Sequence, residues 1–147
     1  MTIEIIPYSA FGPLRFEKTT KHECVRILGE PLKKRTTRRG IEEFEYEQFI
    51  VRFNPETLTI RECTLLPYAD ATINGITITW DRNFLRLACE YDQSPSDVYG
   101  FIVLPRFGIA VTGIHDDDES QLAITAFTKA ELHNWLTKSV PYVWKQG

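Results

Sequence analysis

Three histidines, three cysteines and one dense acidic run are the residues from which this chain could build a reactive centre. His22, His115 and His133 fall in no His-x-His or His-Glu-x-x-His pattern, so no compact metal site is signalled. Cys24, Cys63 and Cys89 lie 39 and 26 residues apart (63 − 24 and 89 − 63). Those spacings match neither a disulfide framework nor a zinc motif and read as core thiols of a reducing compartment. There is no glycine-rich phosphate loop and no Gly-x-Ser-x-Gly elbow. The sequence therefore signals no catalytic set, no cofactor and no metal. In His115-Asp116-Asp117-Asp118-Glu119, oxygen ligands are crowded closely enough to attract a hard cation. The run lacks the alternation and the turn glycine of an EF-hand-type loop, so a solvated hairpin turn and an acidic knob for a protein partner stand beside the cation reading.

Charge is divided unevenly along the chain. The 147 residues carry 17 Lys+Arg and 20 Asp+Glu, a net charge of −3, which gives no case for a dedicated nucleic-acid binder. Residues 15–40 hold nine basic side chains against three acids, with Lys33, Lys34, Arg35, Arg38 and Arg39 clustered. That cluster reads as an exposed loop; it could meet phosphate, but it lacks the interleaved aromatics of a single-strand binder. Residues 81–119 hold eight acids against three bases. The second half is thus expected to carry a negative face able to steer a basic partner. The candidate partner-binding residues are Asp116, Asp117, Asp118 and Glu119, extended by Glu43, Glu45 and Glu47 where the strand register allows.

Periodicity supplies the elements that must position these side chains. Ile3 to Tyr8 reads as a short strand. Thr20 and Glu23 form a capping box before an apolar stripe of Cys24, Val25, Ile27 and Leu28, which Gly29 and Pro31 end. Phe44 and Tyr46 alternate with glutamates, the period of a half-buried strand. Phe49–Phe53 and Leu58–Leu66 follow as two further strands. Asn74-Gly75 predicts a tight turn, and Asp81 caps a second helix running to about Tyr91. Strands are expected at Val98–Leu104, Ile109–Ile114 and Leu122–Phe127. A second capping-box signature, Thr128 to Glu131, opens a short last helix, and an apolar tail to Trp144 can dock on the body.

Helix followed by three strands thus occurs twice, with the helix starts 61 residues apart (81 − 20). The expected architecture is α+β, with tandem helix-plus-antiparallel-sheet units in one globular domain. The pseudo-repeats would be 1–67 and 68–128, followed by a C-terminal helix and tail, 129–147. Composition is that of an ordinary globular chain, with 43% apolar and 12% aromatic residues, which excludes a disordered one. The N-terminus has no signal-peptide pattern, and no apolar run is long enough for a membrane helix, so a cytoplasmic location without membrane contact is expected.

Ile6-Pro7-Tyr8, Phe11-Gly12-Pro13-Leu14-Arg15-Phe16, Thr20, Glu23, Val25 and Leu28-Gly29-Glu30-Pro31 together resemble the opening of a family of small bacterial proteins. Their pattern reads roughly G-x-hydrophobic-x-F-G-M-T-x-x-E-V-x-x-L-L-G-x-P, and similar signatures occur in folds like the β-lactamase inhibitor protein and the SmpA/OmlA lipoproteins. Asn74-Gly75-Ile76 and the helix after it look like a second copy. Glu17-Lys18 departs from the family's Gly-Met, and Cys24 precedes the expected valine. The resemblance implies a non-catalytic inhibitor of the immunity type, which neutralises a cognate toxin domain, for example a basic nuclease, by direct binding. Two other readings remain open at this point: a structural or assembly adaptor for another cellular protein, and a small-ligand-binding or enzymatic domain using the concave sheet.

Overall fold

A computed structural model describes residues 2–144 of the chain. Their elements, in order, are β1 (Ile3–Ile6), β2 (Ala10–Phe11), β3 (Leu14–Arg15), α1 (Lys21–Leu28), β4 (Lys33–Thr36), β5 (Glu42–Glu45), β6 (Phe49–Phe53) and β7 (Ile60–Leu65). Then come β8 (Ala71–Ile73), β9 (Ile76–Thr77), α2 (Arg82–Asp92), β10 (Ser96–Val98), β11 (Phe101–Leu104), β12 (Ile109–Thr112), β13 (Ala123–Phe127), α3 (Leu132–Leu136) and β14 (Val140–Pro141). The fold is α+β. One helix followed by four antiparallel strands occurs twice, and these eight strands, with β14 added at one edge, make one nine-stranded sheet in the order β14-β10-β11-β12-β13-β7-β6-β5-β4. A smaller sheet, β3-β2-β1-β8-β9, gathers the hairpins that precede each helix, with β1 and β8 parallel.

The two last strands meet at the middle of the large sheet. Thr64 of β7 lies opposite Thr125 of β13, 61 residues on (125 − 64), and their hydroxyl oxygens are 2.8 Å apart. Alternation decides which face each side chain takes. Phe49, Val51 and Phe53 of β6 turn inward with Phe44, Cys63, Leu65, Ile124 and Ala126. There they meet Ile5 and Phe11 of the small sheet, Cys24 of α1, and Phe84, Leu85 and Ala88 of α2 in one core. The opposite face is divided. On the second half, Leu132, Trp135 and Leu136 of α3 cover Val98, Val103, Ala110 and Phe127. On the first half, Arg35, Glu43, Arg52 and Glu62 form a cross-strand ion-pair ladder in contact with solvent.

Local chemistry explains the helix ends. Thr20 and Glu23 exchange both bonds of the capping box, Gly29 closes α1 at φ 86°, and Asp81 accepts from the Phe84 N–H at 3.0 Å. Asn74 and Gly75, at φ 49° and 82°, make the β8–β9 turn with both central residues in the left-handed region. Two expectations are corrected. The basic stretch is not simply a loop: Lys33–Thr36 is strand β4, and only the turn after it is irregular. The last helix has no side-chain cap: the Thr128 N–H donates to the Arg61 carbonyl at 3.2 Å, and Glu131 meets the Arg61 side chain at 3.1 Å. Among the described residues no helix is long and apolar enough to cross a membrane.

Candidate functional site

Strand register brings several polar connections to one end of the large sheet. β13 begins at the end where β7 finishes, β6 begins and β5 finishes. The β5–β6 turn, the segment between β7 and β8, and the loop between β12 and β13 therefore lie side by side. The Leu66 N–H donates to the Gln48 carbonyl at 2.9 Å, and the Asp70 N–H to the Gln48 side chain at 3.0 Å, fastening the first two together. The third is folded tightly on itself. A Cβ at Gly113 would come within 2.6 Å of the Leu122 nitrogen, and its φ of 85° suits only glycine. Asp118 then accepts from both the N–H and the hydroxyl of Ser120.

The N-terminus of α2 completes the arrangement. The buried Trp80, just before the helix, donates its indole N–H to the Ala69 carbonyl at 2.9 Å. Tyr68 lies 6.4 Å from it, ring to ring, is 63% exposed, and donates its hydroxyl to Glu119, which holds the phenol above its usual range. Arg82 donates to the His115 carbonyl at 3.0 Å and meets Asp117 at 3.4 Å. Between these groups is a cleft of about 480 Å3, lined by Tyr68, Trp80, Asp81, Arg82, Asp117 and Glu119 among others. A second cleft of about 520 Å3 shares Arg82 and is lined by Asp97, His115 and the tail residues Val140 to Val143. There the Arg82 guanidinium lies 5.2 Å over the Trp144 ring, and the His115 ring 5.9 Å from that of Tyr142.

No family model, curated protein or solved structure matches this chain.

Of the expected partner-binding residues, five gather at this end of the sheet: Glu47 in the β5–β6 turn and Asp116, Asp117, Asp118 and Glu119 in the β12–β13 loop. Glu47 and Asp116 are exposed and make no ion pair among the described residues. The other two are elsewhere. Glu43 and Glu45 are half-buried on the outer sheet face, where Arg52 meets Glu43 at 2.5 Å and Arg35 meets Glu45 at 3.2 Å. Each is thus paired with a guanidinium and lies away from the acidic loop. Tyr68, Trp80 and Arg82 were not singled out from sequence. An aromatic in the polar turn Pro67-Tyr68, and another beside a helix cap, were the signals available.

The thiols are all interior. Burial raises each above its ordinary value, Cys89 to about 11, and Cys24 lies 3.7 Å from the Tyr46 hydroxyl. Among the described residues no three His, Cys, Asp or Glu side chains converge as a metal-ligand set. The cleft presents aromatic surface, one guanidinium and a rim of carboxylates.

Proposed function

We propose that this chain is a non-catalytic, protein-binding inhibitor of the immunity type, which neutralises a cognate toxin domain by occupying its basic surface. The observation that carries the reading is the cleft itself, where Tyr68, Trp80 and Arg82 lie together within a rim of Asp81, Asp117 and Glu119. Tyrosine and arginine are among the side chains that dominate binding energy at protein interfaces, and the buried Trp80 lies beside the exposed Tyr68 as its support. A carboxylate rim accelerates encounter with a cationic partner and sets its orientation. A basic nuclease domain, with a cleft shaped for phosphates, is the partner class this surface complements. The resemblance of residues 6–31 to small bacterial inhibitor-like proteins points the same way. In this reading the protein acts in the cytoplasm, as one unit made of two related halves.

Affinity capture with the tagged full chain from the cytoplasm of its own cells tests the proposal. The expected result is a one-to-one complex in which the partner's activity is abolished, with co-expression restoring growth to cells that make the partner. A captured partner that keeps its full activity in the complex would overturn the inhibitor reading and favour an assembly adaptor. Tyr68→Ala is expected to weaken the complex by roughly thirtyfold or more, as loss of a central aromatic anchor does, without changing the unfolding midpoint.

A further inference from the structure

We propose that the free edge of β4, with the groove between β4 and α1, is a second docking surface that takes an acidic, extended segment of a partner protein as an added strand. This surface shares no residue with the cleft described above, so the two proposals stand or fall separately.

β4 is the terminal strand of the large sheet, and among the described residues no strand pairs with its outer side. The Thr37 N–H donates to the Ile41 carbonyl at 2.9 Å, and the Leu32 N–H to the Glu45 carbonyl at 2.8 Å. With Lys33 opposite Glu45 and Arg35 opposite Glu43, the alternation of an antiparallel ladder turns the backbone of Lys33 and Arg35 toward β5. The N–H and C=O groups of Lys34 and Thr36 therefore point away from the sheet, available to another strand. A groove of about 430 Å3 runs alongside, between this strand and α1. Val25 and Phe44 contribute apolar surface to it, and Lys21, His22, Arg26 and Lys34 bring basic groups. Every second side chain of an added strand would point into this groove, so the edge offers main-chain bonds and the groove offers selection.

Charge decides the occupant. From residue 20 to residue 40 the chain carries seven Lys and Arg and only two acids, Glu23 and Glu30. Glu30 meets Lys34 at 3.2 Å and Glu23 meets Arg26 at 3.5 Å, both in exposed pairs that hold their partners weakly. Lys33, Arg38 and Arg39 are exposed and make no ion pair among the described residues. A second copy of this chain would bring Lys-Lys-Arg against Lys-Lys-Arg, which is repulsive. Arg35 is held by Glu43 and Glu45 and Lys21 by Glu42, so a strand bearing glutamates or aspartates would find its opposite sign at Lys33 and Lys34 and, beyond the strand, at Arg38 and Arg39.

The test uses the full chain and a fluorescein-labelled peptide of about eight residues alternating glutamate with valine. Anisotropy should show saturable binding that weakens as salt is added, and the lysine counterpart should not bind. Hydrogen exchange of the wild-type complex should slow at the Lys34 and Thr36 amides. Thr36→Pro deletes an outward N–H while leaving the bonds to β5 in place, and is expected to lower affinity about tenfold. Thr36→Val, which keeps the N–H, should bind as wild type. Equal binding by Thr36→Pro and wild type, unslowed amides at saturation, equal affinity for the lysine peptide, or no binding of the glutamate peptide would each overturn the proposal. So would a dimer of this chain that Thr36→Pro dissolves, since the occupant would then be a second copy.

Discussion

Glu62 shows how far the outer face of the large sheet depends on single charges. Its carboxylate lies 3.4 Å from Arg52 and 3.9 Å from Arg61, with Glu43 and Glu131 also nearby. Burial outweighs both guanidiniums and pushes the carboxyl above its ordinary value of 4.5. A carboxyl raised in the folded state favours the fold while protonated. Its contribution is fully present below pH 4.5 and is lost as pH rises through the raised value. Glu62→Gln should therefore flatten the fall in urea midpoint over the mildly acidic range, relative to wild type. Gly113 makes a second prediction at this scale. Gly113→Ala drives a methyl against the backbone at Leu122 and Asp118 at positive φ, and is expected to cost about 2 kcal/mol in denaturant unfolding. The partners of Glu43 and Glu45 were not legible in sequence for a simple reason. Arg52 and Arg35 are only nine and ten residues away, but a cross-strand neighbour is fixed by register, which alternation alone does not supply.

Elements were readable where their signals are local. The α1 capping box lies within four residues, and Thr20→Ala is expected to cost about 1 kcal/mol in thermal or urea unfolding. The Asp81 cap and the Asn74-Gly75 turn are equally local, and both appear where their residue types place them. Strand β4 was missed because its four residues, Lys-Lys-Arg-Thr, carry no apolar alternation; pairing with β5 makes it a strand. The last helix illustrates the reverse. Its capping pattern is present in sequence, yet Glu131 is committed to Arg61, seventy residues away along the chain. Helix α3, five residues long, is then held by packing. Trp135 stacks on Phe127 at 5.4 Å and meets Phe101 edge-on at 5.2 Å. Trp135→Ala should cost about 2–3 kcal/mol, less than a fully buried tryptophan would, and should speed hydrogen exchange through residues 132–137.

At the scale of the molecule, the small net charge conceals an asymmetry between the two ends of the large sheet. One end gathers Glu47, Asp70 and the acidic loop; the turns at the other carry Arg38, Arg39 and Arg106, with Lys129 just beyond β13. The acidic loop was visible as a run of residues. Its convergence with Tyr68, Trp80 and Arg82 was not, because Tyr68 and Glu119 are 51 residues apart and meet only once β7 and β13 pair at the centre. The 61-residue offset between the helix caps reappears between Thr64 and Thr125, so sequence spacing and sheet topology point to the same repeat length.

The central claim, that the acidic end of the sheet receives a basic partner, is tested most directly by association kinetics. Glu47→Lys with Asp116→Lys alters two exposed carboxylates that make no ion pair among the described residues, so the fold should be unaffected. Stopped-flow association with the captured partner across a salt series should show the on-rate falling about tenfold at low ionic strength, with a shallower salt dependence than wild type. An on-rate and salt dependence equal to those of the wild type would contradict the account.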